Sequence, residues 1–293
     1  MNILFPANFN SKNQIDDSWQ KEAEAAKSVG FDVSILIDGY FGSPIKIYNK
    51  KSPSLYRGWI VTPQVYQEVD SLGAELINSY NSYMWSYEFP KWYLCLEEYT
   101  PHSLIIKADE IVKCGLEGIT PLVIDNFNSQ SIMIKDFLKS RKHEWYDACF
   151  IRDASDRTEL IRVMSNFFKL QGREFYGGLV FREFLNLKKI GFHPKSKMPL
   201  PLEFRTFFVN GKPVFTTPYW SNDVSYPDNV NYPPNSWLEE VGKNVNSPFV
   251  ALDIAQDEND KWWVIEVNDG GISGLPSHVN LESFYKILYD QFQ

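Results

Sequence analysis

The chain has 293 residues, 44% of them apolar and 23% charged, with a formal net charge of −8. That length exceeds what one small core needs and predicts one to three domains. The composition is that of a globular protein, and the acidic balance argues against one that coats nucleic acid or an anionic membrane. No apolar run is long enough to span a bilayer and MNILFPANFN has no basic leader, so the expectation is a cytoplasmic protein with no membrane span. The three cysteines, Cys95, Cys114 and Cys149, are odd in number and far apart, and the four histidines are dispersed; neither a disulfide framework nor a zinc site is expected, and the thiols read as core residues. Charge is uneven along the chain. Residues 131–190 hold twelve Lys/Arg against eight Asp/Glu, which suits a compact anionic ligand as well as a chance fluctuation.

In chain order, NILF reads as a strand and DDSWQKEAEAAKSVG as a helix capped by Asp16 or Asp17 and stopped by Gly30, with FDVSILI as the next strand. This β-α-β start predicts an open α/β sheet. LYRGWIV reads as a strand carrying Arg57, and PQVYQEVDSLGAELIN as a helix opened by Thr62-Pro63. Residues 78–103 are aromatic and read as irregular, with a domain boundary near 95. Two short strands, PLVI (121–124) and SIMIK (131–135), flank the turn DNFNSQ. The helix SDRTELIRVMSNFFKL then shows an apolar face of Leu160, Val163, Met164, Phe167 and Phe168, ended by Gly172. GLVFREFLNL and PLEFRTFFVNGKPVFTTPYW read as strands, the latter folded at VNGKP. The Pro/Asn-rich segment 221–237 reads as a long loop, a place where specificity often resides. A hairpin over 252–268 turns at ENDK, and NLESFYKILYDQF closes the chain as an amphipathic helix.

The hairpin carries the sharpest signal. Asp253, Glu266 and Asn268 interrupt apolar strands with groups that are costly to bury. Alternation puts Glu266 and Asn268 on one face, and the turn brings Asp253 opposite Glu266. Two carboxylates that close repel unless a cation lies between them. Hard oxygen donors without His or Cys point to Mg²⁺ or Mn²⁺ completed by substrate phosphate; the alternative is an edge with two solvated acids. Lys135 at a strand end, followed by Lys139, Arg141 and Lys142, suits a phosphate cradle or an ordinary exposed loop. No Gly-rich phosphate loop of the P-loop or dinucleotide type is present. Arg182 and Arg205 are candidates to hold phosphate or a carboxylate, or to make internal salt bridges with Glu203 and other acids. Arg57 is equally a carboxylate contact or a structural ion pair. Trp59, Trp85, Trp92, Tyr219 and Trp220 are available to line a cleft or a core.

The order of these motifs, a β-α-β unit, IMIKD, a strand with Glu-Phe-Leu, an E-x-R strand and D-x12-E-x-N on a hairpin, resembles the ATP-grasp superfamily. More narrowly it resembles a divergent clade of bacterial and phage ATP-grasp proteins named for two arginines and a lysine, for which Arg182, Arg205 and Lys135 are the candidates. The D-x12-E-x-N spacing is that of D-alanine–D-alanine ligases. The resemblance implies an α+β ATP-grasp fold, two α+β subdomains clasping the nucleotide, preceded by an N-terminal α/β domain, with divisions at 1–95, 96–180 and 181–293. It further implies ATP held by Lys135 at its α/β-phosphates and by a hinge of Glu183, Phe184 and Leu185 at adenine, with Lys107 as second phosphate lysine and Asp253, Glu266 and Asn268 as ligands of Mg²⁺ or Mn²⁺. Arg205 and Arg182 take the catalytic role of neutralising transition-state charge. The Gly-rich lid is absent, leaving Lys139 or Arg141 to replace it. Ala251 stands where such ligases carry an arginine, and NLKKIG offers no acid for the ribose.

The resulting expectation is an ATP-dependent ligase joining small-molecule or peptide carboxylates to amines or thiols through an acylphosphate, with no side-chain nucleophile and with GGISGLP (270–276) as a substrate wall or a plain turn. The alternatives are a phosphotransferase, a non-catalytic nucleotide-binding module with 78–99 as its partner surface, and, more distantly, a metal-dependent phosphoesterase.

Overall fold

The computed structural model describes residues 1–39, 44–192, 198–220, 224–227 and 229–292. Its first layer is built from β1 (Asn2–Pro6), α1 (Gln20–Ser28), β2 (Asp32–Ile37), β3 (Lys46–Tyr48) and β4 (Ser54–Tyr56), with the sheet ordered β3-β2-β1-β4. β1 is parallel to both β2 and β4 and buried along its whole length, as a central strand must be when helices cross over it. Helix α1 begins later than its acids suggest: Asp16 instead accepts from the Ser18 N–H in the turn before it. Gly30, at φ +108°, stops it as expected. The strand around Arg57 is shorter than predicted and ends at Tyr56.

Helix α2 (Pro63–Val69) is capped by Thr62 and runs into a widened turn at 70–74 that breaks at Gly73, shorter than the 63–78 expected. Residues 78–103 are not irregular. They form α3 (Tyr80–Tyr87), capped by Ser79, and α4 (Phe89–Leu96). The reason was present in the spacing: Phe89, Trp92, Tyr93 and Leu96 recur on one helical face and are all buried. Trp85 and Trp92 join that core, while Trp59 stays exposed.

A second sheet, ordered β5-β8-β6-β7, follows from β5 (Ser103–Lys107), α5 (Ala108–Phe127), β6 (Ile132–Asp136), α6 (Trp145–Ala148), β7 (Phe150–Ile151), α7 (Arg157–Gln171) and β8 (Gly178–Glu183). The expected strand PLVI at 121–124 is helix within α5, because Ile119, Val123 and Phe127 are buried at four-residue spacing rather than alternating. One face of this sheet, with Ile106, Ile132, Ile134, Leu179 and Phe181, packs on α5 and α7. The other face presents Lys135 and Arg182.

After β9 (Lys189–Phe192) and β10 (Pro199–Pro201), a third sheet ordered β12-β11-β13-β14 comprises β11 (Glu203–Val209), β12 (Lys212–Pro218), β13 (Phe249–Gln256) and β14 (Trp262–Asp269), with α8 (Asn235–Gly242) and α9 (Leu281–Gln291) beside it. The β11–β12 turn uses Asn210 and Gly211 at positive φ, as VNGKP predicts. Of the expected loop at 221–237, residues 221–223 and 228 lie outside the described residues, and 235 onward is helix. β13 is buried throughout because the sheet is covered on both faces: Phe207, Phe249 and Ala251 meet the N-terminal layer, while Phe204, Leu252 and Ile254 meet α3 and α4. Among the described residues no helix is long and apolar enough to cross a membrane.

Two buried polar side chains fix the N-terminal layer to this sheet. Arg57, fully buried, pairs with Glu22 (2.8 Å) and donates to the carbonyls of Gly270, Gly271 and Ser273. The structure therefore resolves Arg57 as a structural ion pair. Asn78 donates to Phe249 O (2.6 Å) and Asp269 and accepts from Phe249 N (2.9 Å). Removing one member of a buried pair strands the other. Arg57→Met is expected to destabilise the fold by about 3 kcal/mol in urea unfolding; an unchanged midpoint would show the pair contributes nothing.

Candidate nucleotide and metal site

Register decides the centre of the site. Arg205 on β11, Asp253 on β13 and Glu266 on β14 lie directly opposite one another on three adjacent strands, so their side chains emerge side by side on one face. Arg205 forks onto both oxygens of Asp253, Nε at 2.8 Å and Nη2 at 2.9 Å. Its Nη1 reaches Gly274 O (2.9 Å), and Tyr219 lies under the guanidinium at 4.8 Å. Glu266 faces Lys135 Nζ of the second sheet at 3.7 Å. Asn268 is opposite Ala251, the next same-face position along the strand. Asp253, Glu266, Asn268, Arg205 and Lys135 are thus brought together as expected from sequence. Among the described residues no cluster of three or more His, Cys, Asp or Glu is arranged for a metal; the donor set here is two carboxylates and one amide oxygen.

A bulge at Ile265 interrupts the β13–β14 ladder beside Asp253 and turns two carbonyls out of it. Arg182 caps them, donating to Val264 O (3.0 Å), Ile265 O and the Thr100 hydroxyl, with Phe89 beneath at 5.6 Å. Its terminal nitrogens hold β14 in place and are taken up by two backbone carbonyls and the Thr100 hydroxyl. Lys107 is exposed at the C-terminal end of β5, opposite Gly178, two residues along β8 from the partner of Lys135. Lys139 pairs with Glu174 at the rim (3.7 Å), and Arg141 with Glu144.

Two pockets lie at this part of β14, one lined by Ile265 and the other by Glu266. The larger, about 620 Å³, is lined by Met133, Trp145, Phe184, Leu185, Tyr219 and Trp220, with Lys142 and Glu203 at its polar end. The other, about 400 Å³, is lined by Ile60, Tyr87, Leu138 and Ile272 with Lys135, Lys139 and Asn268. Of the hinge residues, Phe184 and Leu185 face the larger pocket. The N–H groups of Glu183 and Phe184 donate to the His102 and Ser131 carbonyls. The glycine-rich segment after β14 forms a wall beside the smaller pocket: a Cβ at Gly271 would meet Tyr56 O at 2.2 Å, so only glycine lets the segment pass.

Electrostatics follow from burial and from this crowding of charge. Burial alone would raise the Glu266 carboxyl, but Lys135, Lys142, Arg205 and Arg182 together hold it below its ordinary value. Burial lowers Lys135, partly offset by Glu266. Arg205 is raised, because Asp253 outweighs burial. Glu203 is pushed up to about 8 by burial and by Asp253. Of the cysteines only Cys149 is buried, its thiol pushed up to about 12, while Cys95 is half-buried and Cys114 exposed rather than core. Lys142, part of the basic run after Lys135, lines the site, and so does Glu203, which the sequence offered only as a salt-bridge partner. The signal for Glu203 was its place two residues before Arg205, which puts both on one face.

A carboxyl raised above its unfolded value keeps a proton that the unfolded chain releases, so its stabilising contribution is complete below about pH 4.3 and is lost as pH rises through about 8. Glu203→Gln is therefore expected to lessen the decline of thermal stability between pH 5 and 9; an identical pH profile in the two proteins would contradict this placement.

Residues 126–288, more than half of the chain, match the model of an ATP-grasp domain, that of family 3 in the clade named for two arginines and a lysine. No curated protein matches the sequence. Among solved structures, a RimK domain ATP-grasp protein from Sphaerobacter thermophilus superimposes with a TM-score of 0.64 at 10% identity over 99% of this chain and 98% of that one. The D-alanine–D-alanine ligase from Coxiella burnetii gives 0.61 at 11% identity over 99% and 93%, and the D-cycloserine synthetase DcsG gives 0.60 at 10% identity over all of both chains. At such identities these likenesses establish the shared fold, and the match over 126–288 establishes the family: the chain belongs to the ATP-grasp proteins, within family 3 of the two-arginine, one-lysine clade.

Proposed function

We propose that the chain is an ATP- and magnesium-dependent ligase that activates a carboxylate as an acylphosphate and transfers it to an amine or a thiol, releasing ADP and phosphate. The observation that carries this reading is the in-register row Arg205–Asp253–Glu266 faced by Lys135 from a second sheet. The larger pocket suits a purine, with Phe184 and Leu185 along it. Since the Glu183 and Phe184 N–H groups are already bonded, backbone donors to the base come from Leu185 and Asn186. Glu203, buried at the polar end of that pocket, supplies the acid for the ribose hydroxyls that NLKKIG lacks.

Asp253, Glu266 and Asn268 fit Mg²⁺ or Mn²⁺ by chemistry, since all three offer hard oxygen donors and no soft ligand competes. When bound, the ion neutralises phosphate charge. The protein's own part is positional. Lys135 and Arg205 balance the carboxylates and then the anionic substrates, the Gly271 segment walls the acceptor side, and the smaller pocket receives the acceptor carboxylate beside Lys135 and Lys139. A carboxylate oxygen held there attacks the terminal phosphorus as ADP leaves; the amine or thiol then attacks the acyl carbon and phosphate leaves. No protein nucleophile is needed, and the raised Cys149 thiol offers none. Small-molecule and peptide acceptors are both supported by fold relatives, which include a D-alanine–D-alanine ligase and the ATP-grasp ligase PsnB solved with a precursor peptide (TM-score 0.55, 11% identity over 100% of this chain and 97% of that one).

The reading is tested by incubating the protein with MgATP and a library of carboxylates and amines, one acid at a time carrying oxygen-18. The expected result is ADP, a coupled product, and heavy oxygen in the released phosphate; ADP with a stable phosphorylated acid and no coupling would make it a phosphotransferase. Glu266→Gln is expected to slow ADP release about 100-fold while the protein stays folded; an unaltered rate would remove Glu266 from the chemistry.

A further inference from the structure

The segment between β6 and β7 places one more ammonium in the cleft. Lys142 opens a short turn, Lys142–Glu144, that is fixed on both sides. Arg141 forks onto Glu144 at 3.0 and 2.9 Å. Trp145 is buried and stacks on Phe150, with ring centroids 5.3 Å apart. From this fixed base Lys142 reaches, half-buried, into the larger pocket beside Phe184, Leu185 and Glu203. The charges around it are the carboxylates of Glu266, Glu203 and Asp253, on three different strands. Among the described residues, however, none makes an ion pair with its Nζ. Burial disfavours the ammonium, but those carboxylates outweigh it and keep Lys142 charged, so a cation without a direct partner stands in the pocket, free to make a charge-assisted contact with an anionic ligand.

The other lysines are placed differently. Lys135 and Lys139 line the smaller pocket, with Glu266 and Asn268. On β6, Met133 borders the larger pocket and Lys135 the smaller one, so the two pockets follow one another along the strand. A nucleotide seated with its base against Phe184 and Leu185, its phosphates running toward Glu266, passes Lys142 before it reaches Lys135. We propose that Lys142 is the phosphate-binding lysine nearest the nucleoside, acting on the α/β-phosphates, and that Lys135 acts on the terminal phosphate. This inference rests on the nucleotide reading of the site, and it shifts to Lys142 the α/β contact that the family resemblance gives to Lys135.

The test is calorimetric titration of the full chain with adenosine, ADP and ATP in the presence of Mg²⁺, for the wild type, Lys142→Met, Lys142→Arg and Lys135→Met. Losing a charge-assisted contact predicts that Lys142→Met binds ADP and ATP about tenfold more weakly, by similar factors, with adenosine unchanged. Lys142→Arg keeps most of the affinity, and Lys135→Met loses more for ATP than for ADP. Wild-type affinity for ADP in Lys142→Met, or an equal loss for adenosine, overturns the assignment while leaving the nucleotide site standing. A wild-type protein that binds none of the three overturns both. A circular-dichroism melt of each variant separates lost contact from lost fold.

Discussion

The structure depends on how one carboxylate is kept in the middle of a wholly buried strand. Asp253 sits on β13, every residue of which is buried, and an ionised group in that position is tolerated only when paired and hydrogen-bonded. Arg205 meets that requirement with a two-point fork from the adjacent strand. Because Arg205 also holds Gly274 O and lies over Tyr219, the same guanidinium fixes one wall of the larger pocket and anchors the glycine-rich segment after β14. Glu266, on the strand beyond, is answered from across the cleft by Lys135, so the approach of the two sheets at this point is set by charge.

That arrangement has a functional consequence. The carboxylates that suit a divalent ion are already balanced by protein cations, so under the proposed function binding of metal and nucleotide would be an exchange of partners within a preformed cluster. Arg205, Lys135 and Lys142 would then face phosphate oxygens with little reorganisation, which is how a preorganised polar site stabilises developing charge. Arg182 contributes at one remove. By capping the carbonyls turned out by the bulge at Ile265, it sets the position from which Glu266 projects.

What was legible in the sequence was whatever a strand period or a tight turn encodes. The pairing of Asp253 with Glu266 could be read from the ENDK turn and alternation, and the structure has it as a direct register pair. The Asn210-Gly211 turn was legible for the same reason. Two segments misled for opposite reasons. Residues 121–124 are β-rich in composition, yet their burial follows the four-residue period of α5, with Pro121 tolerated inside it. The stretch 78–103 looked irregular because its aromatics obscured the helical spacing of Phe89, Trp92, Tyr93 and Leu96. Lys142 was legible only as one of three basic residues following Lys135, and Glu203 only as a neighbour of Arg205, since what distinguishes them is a pocket assembled from both sheets and from the turn before Trp145. Arg57 was ambiguous for a related reason: its partners Glu22, Gly270, Gly271 and Ser273 lie far away in sequence.

The most direct measurement of the central claim is ATP binding by isothermal calorimetry with and without Mg²⁺, comparing the wild type with Asp253→Asn. The account predicts binding that is strengthened by Mg²⁺ in the wild type and has lost that dependence in the variant. Equal affinity with and without the ion in the wild type, or no ATP binding under either condition, would contradict it and leave the Arg205–Asp253–Glu266 row as a structural device alone.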